Sequence, residues 1–174
     1  DAVFQFGFRI YDVSYVLCTR IFLLTSSKLH GQPAFLKMNF HIFTLNTRGV
    51  NFKNKQGNTA LLFASYNGHH HVVQLLLNQN ADVNIQNKIG NTALIYATNR
   101  GRLDIVESLL KMNPNLDIQS NLGNTALIWA SYNGHVGIVK LLLERNPKLD
   151  HQNKNGCTAL ILAIDKGHLD IVEL

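Results

Sequence analysis

The phrase GNTALLFA at residues 57–64 returns as GNTALIYA at 90–97, GNTALIWA at 123–130 and GCTALILA at 156–163. Each copy begins 33 residues after the one before it. A fixed period of this length is typical of stacked supersecondary units, because one such unit needs its neighbours to cover its apolar face. Stacked units present an extended surface rather than an enclosed cavity. The period therefore favours a binding protein over an enzyme.

Within one period, the glycine phrase predicts a turn followed by a helix. Gly90 suits a turn that needs a positive φ, and the Thr92 hydroxyl can cap the helix that follows it. Gly101 is expected just beyond the end of this first helix, in the left-handed conformation. The turn and the first helix thus occupy the first half of each unit.

A second, antiparallel helix is predicted from about Leu103, where apolar residues recur at helical spacing. The segment 113–115, Asn-Pro-Asn, is expected to stop it, since proline cannot continue a helix. Residues 116–118 are expected to return in extended form to the next turn. One unit is therefore a turn and two helices.

Small residues recur on one face of each first helix, as alanine pairs four residues apart. They are Ala60 and Ala64, Ala93 and Ala97, Ala126 and Ala130, and Ala159 and Ala163. Such pairs let neighbouring first helices approach closely, whereas the second helices carry bulky leucines. The stack is expected to curve, with first helices and turns on its concave side.

These motifs resemble the ankyrin repeat, a 33-residue turn-helix-helix unit with the pattern G-x-T-P-L-H-x-A, then G-H and I-V-x-L-L-L. The resemblance implies an all-α solenoid of stacked helix-turn-helix units joined by short hairpin-like turns. Its register gives complete units at 54–86, 87–119 and 120–152 and a truncated unit at 153–174. A degenerate half-unit is a further candidate at 38–53, whereas residues 1–37 form a non-repeat segment that we expect to be irregular or poorly ordered.

The repeats depart from the family pattern at two positions. Alanine replaces the family's proline, and an aliphatic side chain (Leu62, Ile95, Ile128 or Ile161) replaces its histidine. The usual threonine–histidine hydrogen bonds are therefore absent, so stability is expected to depend more on apolar burial.

The resemblance implies that the chain binds a protein through the turn tips and the exposed side of the first helices. Carried over position by position, the candidate partner-binding residues are Lys55, Gln56, Asn58, Tyr66, Asn67, Lys88, Ile89, Asn91, Asn99, Arg100, Asn121, Leu122, Asn124, Tyr132, Asn133, Lys154, Asn155, Asp165 and Lys166. Tyr66 and Tyr132 are the best anchors, because a tyrosine buries much area at low entropic cost. The alternative is that these residues are only solvated turn tips.

Residues 1–37 contain no trace of the glycine phrase. Alternating apolar residues at 4–10 resemble a strand, and the apolar stretch 13–24 is too short and too interrupted by charge for a membrane span. Because the chain opens on Asp1 and its first methionine is Met38, we hypothesise that the natural product starts at Met38. The abrupt end at Leu174 leads us to expect a fragment of a longer protein.

Charge and cysteine content limit the partners and the compartment. Residues 50–174 hold eleven Lys/Arg and nine Asp/Glu, a near balance that does not indicate a basic groove for nucleic acid. The two cysteines, Cys18 and Cys157, lack the spacing of a disulfide framework. We expect a cytoplasmic protein, with the nucleus or a host-cell cytosol as alternatives, that binds neither nucleic acid nor membrane nor small molecules.

Two features could suggest other chemistry. The run His69-His70-His71 resembles a metal tract, but adjacent residues on a helix do not face one site, so we predict no metal or cofactor. Phe63, Tyr96, Trp129 and Leu162 form a column that is expected to pack between first and second helices. No phosphate-binding loop or nucleophile motif indicates an enzyme.

The leading functional prediction is a non-enzymatic protein-interaction scaffold. The alternative is a targeting segment of a larger enzyme or channel, whose active domain would lie outside this sequence. Because the last unit is truncated, Ile138, Leu141 and Leu142 are expected to lose part of their cover.

Overall fold

The computed structural model describes residues 49–174. The predictions for residues 1–37, and those for 38–48 of the half-unit, lie outside this range. Eight helices and no strands make up the described residues, which confirms the all-α prediction. They are α1 (Ala60–Asn67), α2 (His70–Leu77), α3 (Ala93–Asn99), α4 (Leu103–Leu110), α5 (Ala126–Asn133), α6 (Val136–Leu143), α7 (Ala159–Asp165) and α8 (Leu169–Val172).

Every first helix begins at a threonine cap, as predicted from Thr92. The Thr92 hydroxyl accepts a hydrogen bond from the Ile95 amide at 3.2 Å, and the same bond recurs at the other three caps. The capping threonines are Thr59, Thr92, Thr125 and Thr158. Such a cap contributes about 1 kcal/mol, because it satisfies an amide that has no partner in the helix.

Helix α4 begins at Leu103 and ends at Leu110, before the segment 113–115, as predicted. Asn113 takes a left-handed φ of 49°, and Asn80 and Asn146 do the same in the neighbouring units. Asparagine tolerates this conformation better than other residues with a side chain, so it turns the chain before Pro114. The predicted extended return is wrong at Leu116 and Asp117, which form a turn instead.

The units stack through both layers of helices, and successive first helices pack more closely than successive second helices. This is the packing expected of a stack that curves towards its first helices. The aliphatic residues at the family's histidine position, Leu62, Ile95 and Ile128, are fully buried in the core. Burying one such side chain stabilises the fold by about 1.5–3 kcal/mol, so apolar packing replaces the missing polar network.

Successive turns are joined by backbone hydrogen bonds. The Gln56, Ile89 and Leu122 carbonyls accept from the amides of Lys88, Asn121 and Lys154 respectively, each at 2.9 Å. Gly90 allows this approach, because its φ is 79° and an added Cβ would lie 2.6 Å from the Asn121 nitrogen. The turns therefore form one continuous row along the stack.

The last described unit exposes apolar side chains that are buried in the interior units. Leu94 and Ile95 are each 2% exposed, whereas Leu160 and Ile161, at the same positions of the last unit, are 54% and 48% exposed. The predicted loss of cover at Ile138 and Leu142 is wrong. Both stay buried because the short helix α8, with Ile171 buried, still packs against α6. The apolar surface that is exposed at this end of the stack thus belongs to the last unit and not to α6.

Two substitutions, Gly90→Ala and Gly156→Ala, should distinguish the energetic cost of a steric clash between turns from the cost of backbone strain. Both glycines have positive φ, but an added Cβ at Gly156 meets nothing within 4 Å. An alanine costs about 1–2 kcal/mol in the left-handed region, and the clash at Gly90 adds about 1–3 kcal/mol. Urea unfolding followed by the fluorescence of Trp129, the only tryptophan, should show the larger loss for Gly90→Ala. Equal losses would contradict a rigid turn row.

The rate of amide hydrogen exchange in each unit should depend on how well neighbouring units cover its apolar side chains. Amides in α7 and α8 are expected to exchange faster than those at the same positions in α3 and α4, because the last unit lacks apolar cover on one side. Exchange measured by mass spectrometry on peptides from the two units tests this. Equal protection would mean that the last described unit is as stable as the interior.

Candidate protein-binding surface

Each turn is held by a polar side chain at its first position. The Asn87 Oδ1 accepts hydrogen bonds from the amides of Ile89 at 3.1 Å and Asn91 at 3.0 Å. The same pair of bonds is made by Asn54, Ser120 and Asn153 in the other units. Because these bonds close the turn on itself, the tip side chains project from a fixed backbone.

The predicted tip residues differ in how much surface they offer. Each turn tip has two successive positions. At three tips both residues are exposed, and these are Lys55 and Gln56, Lys88 and Ile89, and Asn121 and Leu122. Lys154 and Asn155 are exposed as well. Asn58 and Asn91 are half-buried, and Asn124 is only 8% exposed, so Asn124 contributes little surface.

Tyr66 lies in a cluster that joins two units. The Arg100 guanidinium donates a hydrogen bond to the Tyr66 hydroxyl, and its carbon sits 4.2 Å from the centre of the Tyr66 ring. The Tyr96 ring meets Tyr66 edge-on, with 5.1 Å between the ring centres. Tyr66 is therefore a fixed part of a composite tyrosine–arginine surface rather than a freely rotating anchor.

A second cluster repeats this arrangement around Tyr132, two units further on. The Lys166 Nζ lies 5.0 Å from the centre of the Tyr132 ring and 2.9 Å from the Asp165 carboxylate. The hydrogen bond from Lys166 to Asp165, together with the charge of Asp165 and the Tyr132 side chain, raises the pKa of Lys166. Lys166 therefore stays protonated, but a neighbouring carboxylate already compensates its charge.

The remaining predicted residues at the ends of the first helices bond to each other or to their own helix. The Asn133 Nδ2 donates to the Asn99 Oδ1 at 3.1 Å and to the Trp129 carbonyl at 3.0 Å. The Asn67 Nδ2 donates to the Phe63 carbonyl at 2.8 Å. At the ends of the first helices, two units carry Tyr-Asn (66–67 and 132–133). The unit after each of them carries a cation there, Arg100 or Lys166.

Tyr96 connects the turns to the ends of the first helices. Its hydroxyl accepts a hydrogen bond from the Asn87 Nδ2 at 2.8 Å, and the same nitrogen donates to the Asn58 Oδ1 at 2.7 Å. The prediction that Tyr96 packs between first and second helices is therefore incomplete, because the Tyr96 side chain also contacts the turn and the Tyr66 ring. These contacts make one continuous face, which we call the turn-and-first-helix face: residues 53–67, 86–100, 119–133 and 152–166.

A Ser–His–Asp group on the second helices resembles a catalytic triad but lacks its setting. The His70 Nε2 lies 3.0 Å from the Ser108 Oγ, and its Nδ1 lies 3.4 Å from the Asp104 Oδ2. Ser108 is buried within α4, and its hydroxyl donates to the Asp104 carbonyl at 3.0 Å. Amides inside a helix are already bonded and cannot form an oxyanion hole. We interpret the group as a contact between α2 and α4.

The described residues 49–174 offer no side-chain cluster for a metal ion, and the depression between two of their second helices is small. Within this range, no group of three His, Cys, Asp or Glu side chains could hold a metal. A depression between α4 and α6, near Leu110 and Leu141, encloses 190 Å³. This is below the roughly 300–1,000 Å³ of typical small-molecule sites. None of these helices is long and apolar enough to cross a bilayer.

The residues that hold the turns in place are not among the predicted site residues. Asn54, Asn87, Ser120 and Asn153 were not selected, although a short polar side chain three residues before each glycine is a recognisable turn signal. Gln86 and Gln119 were also missed. The Gln86 Nε2 donates to the Gly90 carbonyl at 2.8 Å and to the Gln119 carbonyl of the next unit at 3.0 Å, and Gln119 repeats this pattern.

The geometry described above defines the protein as a repeat solenoid that displays a row of rigid turns. Comparison with known families identifies which one: the family model described as ankyrin repeats (3 copies) matches residues 30–121 and 112–174. The matches cover most of the chain, so the protein belongs to the ankyrin repeat family. Ankyrin repeats are generally protein-interaction modules, and they are typically non-enzymatic. No curated protein matches this chain.

Substitutions of Asn87 should separate its two roles. Asn87→Ser keeps an acceptor for the turn amides, as Ser120 does naturally, but loses the bonds to Asn58 and Tyr96. Asn87→Ala loses all four bonds. We expect a smaller fall in unfolding free energy for Asn87→Ser than for Asn87→Ala, with about 1–3 kcal/mol for each buried group left unsatisfied. Urea titration measures both, and an equal effect would contradict the role assigned to the turn bonds.

Proposed function

We propose that this protein is a non-enzymatic scaffold that binds a partner protein through its turn-and-first-helix face. The observation that carries the proposal is the row of turns. Its backbone is fixed by hydrogen bonds within and between units, while the exposed second tip position varies as Gln56, Ile89, Leu122 and Asn155. Variable side chains on a fixed frame give specificity without a large ordering cost on binding.

The two tyrosine clusters supply the binding energy in this proposal. Tyr66 and Tyr132 are partly exposed, and each ring lies beside a cation of the next unit, Arg100 or Lys166, with a hydrogen bond from Arg100 to Tyr66. A preorganised aromatic surface next to a cation has the composition of interface hot spots, which are enriched in tyrosine and arginine. The proposed site therefore runs from the turn tips to these clusters.

The proposed compartment is the cytoplasm. The proposal rests on the two cysteines, Cys18 and Cys157, which lack the spacing of a disulfide framework. Fractionation of source cells with an antibody to the repeats would test it. Recovery only from an oxidising compartment would contradict the proposal.

Partner capture with the 174-residue chain tests the proposed surface. We expect Tyr66→Ala/Tyr132→Ala to lose a partner that the unchanged chain recovers from a lysate of its source. Leu103→Ala/Met112→Ala removes apolar side chains of similar exposure from the other side of the stack and should retain it. Truncating a hot spot costs 2 kcal/mol or more, so affinity for the recovered protein should fall about 30-fold or more.

Two results would contradict the proposed surface. Loss of the partner with the Leu103→Ala/Met112→Ala control alone would place binding on the second helices. Retention by every variant would exclude both faces. Circular dichroism of each variant shows whether a loss reflects unfolding.

A further inference from the structure

The charges of residues 49–174 are unevenly divided between the turn-and-first-helix face and the rest of the described chain, although their total is nearly balanced. The turn-and-first-helix face carries six basic residues and one acidic residue. These are Lys53, Lys55, Lys88, Arg100, Lys154 and Lys166, with Asp165. The rest of the described chain carries five basic and eight acidic residues. The near-neutral total therefore conceals a basic face.

Most of the cations on this face lack an acidic partner. Lys166 is paired with Asp165, but no described carboxylate forms an ion pair with Lys55, Lys88, Arg100 or Lys154. All four side chains are exposed. Because the Arg100 guanidinium lies against the Tyr66 ring, its position is fixed, and its remaining N–H groups can donate hydrogen bonds to a carboxylate.

Two apolar side chains lie among these cations along the turns. Ile89 follows Lys88 at one tip and Leu122 occupies the next, and both are well exposed. The row covers four units, or three steps of about 8–10 Å each. An extended peptide rises about 3.3 Å per residue, so about eight residues span the row. The surface thus suits an extended segment with both negative and apolar side chains.

We infer that the partner segment recognised by this face is an extended peptide that is rich in aspartate and glutamate and carries interspersed apolar residues. The inference rests on the proposed function, since it specifies the chemistry of the partner at the same face. A peptide is favoured over nucleic acid because unit 120–152 places no charge on the face, which interrupts the basic row. Exposed Ile89 and Leu122 at the tips also match side chains rather than phosphates.

Selection from a random library of 12-residue peptides tests the inference without assuming a sequence. The immobilised 174-residue chain is the target, and the Asp and Glu content of bound peptides is compared with that of the input library. We expect a clear rise in acidic content among the binders. Their affinities are then measured by fluorescence anisotropy with fluorescein-labelled copies.

Matched charge reversals locate the binding. Lys88→Glu/Lys154→Glu changes two exposed turn-tip lysines that make no described side-chain contact. Lys111→Glu/Lys148→Glu makes the same change in net charge at two exposed lysines outside the turn-and-first-helix face. We expect the tip variant to weaken the selected peptides about tenfold or more, and the control to change them less than twofold. Circular dichroism checks that both variants fold.

The outcomes separate this inference from the proposed function. Peptides that lack acidic enrichment but lose binding in Tyr66→Ala/Tyr132→Ala would overturn the inference and leave the proposed face intact. Peptides insensitive to both the tyrosine and the tip variants would contradict both. Tighter binding of a fluorescein-labelled 20-nucleotide single strand than of any selected peptide, lost in the tip variant, would replace the peptide by nucleic acid.

Discussion

The structure depends on burial that each unit can achieve only with its neighbour. Leu94 and Ile95 are fully buried because the next unit covers them, while Leu160 and Ile161 remain about half exposed because nothing described follows them. The side chains are closely similar and the local helices are alike, so the difference in cover arises between units. Repeat proteins behave in this way because each unit contacts only adjacent ones. Stability is therefore a property of the stack.

The same dependence shapes the surface. Turns can be joined into one row only if their backbones nearly touch, and this requires the glycine conformation seen at Gly90. Once the backbone is fixed by neighbouring turns, the side chains at the second tip position, which make no described hydrogen bond, are free to vary. In each turn, the backbone atoms thus maintain the fold, and the exposed side chains are available for recognition.

Charge segregation follows from this division. Side chains at the turn tips and those on the second helices face different surroundings, so residues 49–174, whose charges nearly balance, can display a basic face. Counting charges along the sequence averages the two sides and hides the difference. Assigning each charged residue to a position within the unit reveals it.

The sequence by itself determined the helices, their threonine caps and the register of the units, because these depend on local residue patterns that repeat every 33 positions. It also indicated which turn residues would be exposed. Only the tertiary structure decided that Asn124 is covered, that Ile138 and Leu142 keep their cover, and that Arg100 lies over Tyr66. Each of these facts depends on the distance between residues of different units, and such distances are set by packing rather than by local sequence.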